Sequence, residues 1–177
     1  MGARLAMLCI LIAQMSGCST APTHDAQAFY AAKTGDVAAL SSFASLGQLV
    51  VIRDRWGKTL LHYAPDKRTV LYLCAHGAQV GARDDRGNTP LHESSFLGRL
   101  AACRALLLEG ASVSARDNDG NTPLHMAVVG NHQTVVSMLL QAGADINDVG
   151  AGLTPLSLAK ANRLLEMARF LRARGAR

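Results

Sequence analysis

Asp84-Asp85-Arg86-Gly87-Asn88-Thr89-Pro90-Leu91-His92 returns 33 positions later as Asp117-Asn118-Asp119-Gly120-Asn121-Thr122-Pro123-Leu124-His125. Looser copies stand at Thr59-Leu60-Leu61-His62 and Thr154-Pro155-Leu156-Ser157. The first of these keeps the upstream Asp and Gly as Asp54 and Gly57. A Gly-Ala pair closes each unit, at Gly77-Ala78, Gly110-Ala111, Gly143-Ala144 and Gly175-Ala176. From the Thr to this Gly is 21 residues in three units and 18 in the one that begins at Thr59. Self-similarity at such a period marks a stack of small units, none of which can bury its apolar stripe alone.

The frame resembles the ankyrin repeat: Asp-x-x-Gly-x-Thr-Pro-Leu-His-x-Ala, a turn, then a leucine-rich helix that ends in Gly-Ala. The resemblance covers about residues 26–177. It implies an all-α solenoid of about five helix-turn-helix repeats with hairpin-like loops, at about 26–53, 54–83, 84–116, 117–148 and 149–177. The first is degenerate, with Ala31-Ala32, Gly35 and Gly47 where the frame expects small residues.

The physical chemistry agrees with this frame. Thr caps the first helix, and Pro at the first helical position forfeits no hydrogen bond. Gly98 and its counterpart Asn131 are the residue types that tolerate a left-handed turn between the two helices. Val135, Val136, Met138, Leu139 and Leu140 form the apolar stripe of one second helix, and Leu100, Ala101, Leu106 and Leu107 that of another. Gly87 and Gly120 permit tight hairpin tips. Two units depart from the frame. In the second, Tyr63-Ala64-Pro65-Asp66 puts a proline where the first helix should continue, which predicts a stunted helix and a local dent. The last has Val149 for the hairpin Asp and a loop one residue shorter, as suits a terminal cap.

Composition excludes several classes. Of 177 residues, 49% are hydrophobic and 18% charged, which is wrong for a disordered tail protein. A net charge of +5 is too mild to call for nucleic acid. Four cysteines without paired CxxC spacing suggest neither a disulfide scaffold nor a zinc site. No cofactor, metal site or catalytic set is expected, and the array is expected to be monomeric.

The N-terminus reads as an address. Arg4 precedes an apolar run from Leu5 to Met15, and Ser16, Gly17 and Cys18 follow. This is the order of a secretory signal peptide, too short to be a permanent transmembrane helix. Met15-Ser16-Gly17-Cys18 resembles the lipobox of bacterial lipoproteins, with Met15 in place of the usual leucine. The resemblance implies cleavage before Cys18 and acyl chains on it, residues 1–17 as signal peptide and 18–25 as tether. Ser19 after the cysteine then favours the periplasmic face of the outer membrane. The other reading is cleavage after Ser19 or Ala21 and a soluble periplasmic protein.

His62, His92 and His125 recur with the frame, and a periodic residue needs a packing cause. Their repeats are spaced about 10 Å apart, too far for one tetrahedral metal. In the family this histidine bonds across the repeat loops. Cys74 and Cys103 fall on adjacent second helices one turn out of step, so two thiols are expected there and no disulfide. The tail from Lys160 to Arg177 has six basic side chains against Glu166, and fits either a solvated cap or attraction to anionic lipid. Trp56, the one tryptophan, either packs on Tyr63 or projects as an interface anchor.

Nothing here supplies a nucleophile-base-acid set or a phosphate loop, so the chain reads as a binding protein and not an enzyme. The ankyrin resemblance implies a recognition face on the hairpin tips and the exposed side of the first helices. It maps to Arg55, Trp56, Lys58, Asp85, Arg86, Asn88, Phe96, Leu97, Asn118, Asp119, Asn121 and Val129. Basic and aromatic at its start, this face fits a protein partner with an acidic and apolar patch, in the periplasm or envelope. Two roles follow: a membrane-anchored adaptor, or an inhibitor or immunity protein that occludes a periplasmic enzyme or toxin.

Overall fold

A computed structural model of the chain describes residues 24–44, 48–50 and 52–177. Cys18, with the signal peptide and most of the tether, lies outside the described residues. The chain runs as helix pairs: α1 (His24–Thr34) with α2 (Val37–Ala44), α3 (Leu60–Tyr63) with α4 (Lys67–Ala75), and α5 (Pro90–Phe96) with α6 (Leu100–Leu108). Then come α7 (Pro123–Val129) with α8 (Gln133–Gln141), and α9 (Pro155–Ala161) with α10 (Leu165–Arg172). A short 3-10 turn, Gln48–Val50, precedes the first hairpin. No strand forms among the described residues beyond isolated bridges at two hairpin necks, Arg53 with Thr59 and Gly150 with Leu153.

The period of the sequence becomes two columns of helices. First helices α1, α3, α5, α7 and α9 pack successively, and second helices α2, α4, α6 and α8 form the column behind them. Between the columns lie Leu61, Leu91, Leu124 and Leu156 from the first helices. Facing them are Leu73, Leu106, Leu139 and Leu171 from the second, all buried. Small residues at one repeat position let the first helices approach closely: Ala31, Ser94, Ala127 and Ala159 within them, and Ala64 just past α3, are buried. Gly130 serves the same end, since a Cβ there would collide with the carbonyl oxygen of Phe96 in the helix before it.

The turn residues behave as their chemistry requires. Gly98 (φ 69°) and Asn131 (φ 59°) take the left-handed conformation between the two helices of their repeats. In the last repeat this place is held by Arg163, with φ 58°.

The second unit is stunted as expected: α3 has 4 residues where α5 has 7. Pro65 forces Ala64 into an extended backbone (ψ 120°), which ends the helix. The expected dent is filled. Arg99, from the turn of the next repeat, directs its guanidinium at the freed carbonyls of Tyr63 (3.0 Å), Ala64 (3.4 Å) and His62 (3.5 Å). Asp66 then caps α4 by accepting the Thr69 amide N–H at 2.8 Å.

Candidate interaction groove

The hairpin tips form a continuous rail. In the first three, an Asp carboxylate folds the tip by accepting backbone N–H groups: Asp54 from Trp56 and Lys58, Asp84 from Arg86 and Asn88, Asp117 from Asp119 and Asn121. Burial raises the pKa of Asp54. The Tyr63 hydroxyl and the two amides donate to it and outweigh that, so its carboxyl sits below the ordinary range.

Neighbouring tips are joined by main-chain bonds. The N–H of Asp85 donates to Trp56 O (3.0 Å), that of Asn118 to Arg86 O (2.9 Å) and that of Ala151 to Asp119 O (3.0 Å). An arginine ladder runs alongside. Arg53 donates to the carbonyl of Arg83 (2.9 Å), Arg83 to that of Arg116 (2.6 Å) and Arg116 to that of Val149 (3.0 Å).

A histidine relay underlies the rail. Nδ1 of His62, His92 and His125 accepts the backbone N–H of Thr59, Thr89 and Thr122. Each Nε2 then donates to a carbonyl of the next repeat: Asn88 (3.0 Å), Asn121 (3.1 Å) and Leu153 (3.2 Å). One acceptor and one donor per ring is the neutral Nε2–H tautomer. Burial lowers the pKa of all three, with the cross-repeat bond acting in the opposite sense. Both ring nitrogens are therefore committed to structure. Among the described residues no group of three or more His, Cys, Asp or Glu side chains could hold a metal ion. Cys74 and Cys103 are free thiols, both pushed up by burial to about 11.

Between the rail and the exposed side of α3, α5 and α7 lies an open groove of about 470 Å³. Trp56, Tyr63, Phe96 and Met126 supply its apolar surface, and Lys58, Asp85, Arg86, Asn88 and Glu93 its polar one. Trp56 is 51% exposed and Phe96 43%, so neither is spent on the core. The Arg55 guanidinium lies 4.1 Å from the centre of the Trp56 ring. Tyr63 is fixed by its hydroxyl bond to Asp54 (2.6 Å) and by an edge-on contact with Phe29, 5.5 Å between centroids. Lys58 reaches across to Glu93 at 2.8 Å, and both are half-buried.

The groove brings together Trp56, Lys58, Asp85, Arg86, Asn88 and Phe96 of the twelve residues mapped from the sequence. Leu97, Asn118, Asp119, Asn121 and Val129 lie outside its lining, and Arg55 touches it only through Trp56. Three of the mapped asparagines are engaged within the fold. Asn88 and Asn121 donate to Asp84 and Asp117, and Asn118 donates to Asp85 O at 3.0 Å. Tyr63, Glu93 and Met126 were missed. They occupy one repeat position, directly after each relay histidine, and that register was a readable signal.

The basic tail is elsewhere. Arg169 pairs with Glu166 at 2.8 Å, and Arg174 stacks 3.5 Å over Phe170. No helix among the described residues is long and apolar enough to cross a membrane.

No curated protein matches the chain. A family model, ankyrin repeats, matches in three overlapping copies over residues 28–117, 66–150 and 105–177. These copies span nearly all of the helix pairs and every rail contact described above. Repeat spacing, histidine relay and hairpin rail all agree with that match, and the chain belongs to the ankyrin-repeat family.

Proposed function

We propose that this chain is an envelope-anchored protein-interaction module that presents the groove between its hairpin rail and first helices to a protein partner. Ankyrin repeats are protein-binding modules as a class, and the coarser part of this reading rests on the family. One observation carries the finer part: Trp56 and Phe96, the large aromatics of the groove, are half exposed over a rigid support. Aromatic side chains left in water on a preorganised surface are the residue type that dominates interface energetics. Beneath them the relay histidines and the tip carboxylates are held in hydrogen bonds within the fold, which supports a binding surface.

The anchor rests on Met15-Ser16-Gly17-Cys18 behind a short apolar run. Lipid on Cys18 would hold the array at the periplasmic side of a bacterial membrane, with the outer membrane favoured by Ser19.

Two measurements test the reading. Affinity capture from solubilised envelope with the intact chain should recover a protein that the Trp56→Ala, Phe96→Ala double variant does not, at unchanged melting temperature. Equal recovery by both would refute the groove. Cys18→Ala should move the protein from the membrane to the soluble fraction. Full retention would refute the lipid anchor. An enzyme or toxin inhibited on capture would make the chain an inhibitor; one left active would make it an adaptor.

A further inference from the structure

The charges around the groove are unevenly spoken for. Lys58 and Glu93 neutralise each other at 2.8 Å. The carboxylate of Asp84 is taken up by the amides of Arg86 and Asn88 and by the Asn88 side chain. Asp54 is used in the same way and by Tyr63. Among the described residues the side chain of Arg86 has no hydrogen bond or ion pair, although its backbone is held at both ends by Asp84 and Asn118. Arg55 has no carboxylate either and lies on the face of Trp56. Of the three carboxylates that line the groove, Asp85 alone has no side-chain hydrogen bond or ion pair among the described residues, against these two guanidinium groups. No described residue satisfies the five donors of Arg86, and its main chain is already fixed in place.

We propose that the groove takes a peptide segment of a protein partner that carries a carboxylate within a few residues of a large apolar side chain. The apolar side chain packs on the surface formed by Trp56, Phe96 and Met126. The carboxylate pairs with Arg86, whose planar fork matches two carboxylate oxygens. Arg55 adds a second cation at the Trp56 end. A basic segment is disfavoured because it would set its charge against Arg86 and Arg55. The inference rests on the groove reading above and adds the chemistry of what fills it.

The full chain reports its own occupancy, because Trp56 is its one tryptophan. Phage-displayed random peptides are selected on the full chain, and tryptophan-free synthetic versions of the winners are titrated while Trp56 emission is followed. The expected winners hold Asp or Glu near Leu, Met or Phe and shift that emission. Replacing their acid by Lys should raise the concentration required about tenfold or more, and Arg86→Glu should reverse that order. Arg86 is exposed, so its reversal should leave the melting temperature in place.

Winners without an acid, or an order that Arg86→Glu does not change, would overturn the proposed chemistry. The groove reading survives that result if Trp56→Ala and Phe96→Ala, titrated by calorimetry because the first has no tryptophan to follow, lose the same peptides. Winners that bind those two variants as well as the parent would overturn the groove and the proposal together. If no peptide is enriched, the proposal of a linear segment fails.

Discussion

At the scale of single residues, the three relay histidines couple the fold to pH. Each is lowered by burial below its value in the unfolded chain, so in acid the unfolded state binds more protons than the folded one. Their contribution is therefore complete above the unfolded histidine pKa of about 6.5 and is lost as pH falls toward the folded values. Chemical denaturation followed from pH 7.5 to pH 5 should show stability falling, with a limiting slope of about 1.4 kcal/mol per pH unit for each histidine that titrates. A flat profile across that window would mean that the rings are not held neutral. Ala151 offers a second test. It and Gly152, at φ 46° and 80°, are the central pair of a two-residue hairpin closed by Gly150 and Leu153. Both central φ angles are positive, a turn for which Asn-Gly is the preferred pair. Ala151→Asn should gain about 0.5–1 kcal/mol in thermal or chemical unfolding, since a left-handed alanine is strained. The positive φ of Ala151 could be anticipated only in part: Val149 and the shortened loop announce a different turn, but not which residue bends.

At the scale of elements, Pro65 announced the stunted helix α3, and nothing in the sequence announced its repair. Arg99 bonds the carbonyl of Tyr63 from 36 residues away, in a turn that sequence periodicity treats as spacer. The Lys58–Glu93 pair spans 35 residues and is equally silent. Local rules govern caps, turns and stripes, which is why the helix pairs were legible. Contacts between units depend on which long side chain happens to face which gap. Burial lowers the pKa of Arg99, yet the carbonyls around it are ligands for a cation, and a guanidinium stays charged. Arg99→Ala should cost about 1.5–3 kcal/mol, the range of hydrogen bonds to a charged group, where most exposed arginines cost nothing measurable. Even with Arg99 in place, the second unit buries less helix than its neighbours. Hydrogen exchange should show residues 54–80 opening before 84–142, and Arg99→Ala should widen the gap. Uniform protection over both spans would show that the repair is complete.

At the scale of the whole molecule, the array has two candidate working surfaces, and they answer to different physics. The groove acts through aromatic burial at short range, on a rail that main-chain bonds and the arginine ladder make one rigid edge. The C-terminal cap acts through charge: Lys160, Arg163, Arg169, Arg172, Arg174 and Arg177 are all exposed, with Glu166 the only acid among them. Part of that charge is spent locally, since Arg169 pairs with Glu166 and Arg174 lies on Phe170. Surface charge is screened over about 8 Å at physiological salt, whereas desolvated aromatic contact is not. Trp56→Ala or Phe96→Ala should therefore weaken partner binding by about 2 kcal/mol or more at any ionic strength, the range of interface hot spots. Melting temperature should barely change, because both rings are half exposed already. Reversing Arg169, Arg172 and Arg174 to Glu should alter binding little at physiological salt and only modestly at low salt. Calorimetric titration of the captured partner at two salt concentrations separates the cases. Should the reversals abolish binding while the aromatic truncations leave it whole, the basic cap is the working surface and the groove is a by-product of stacking.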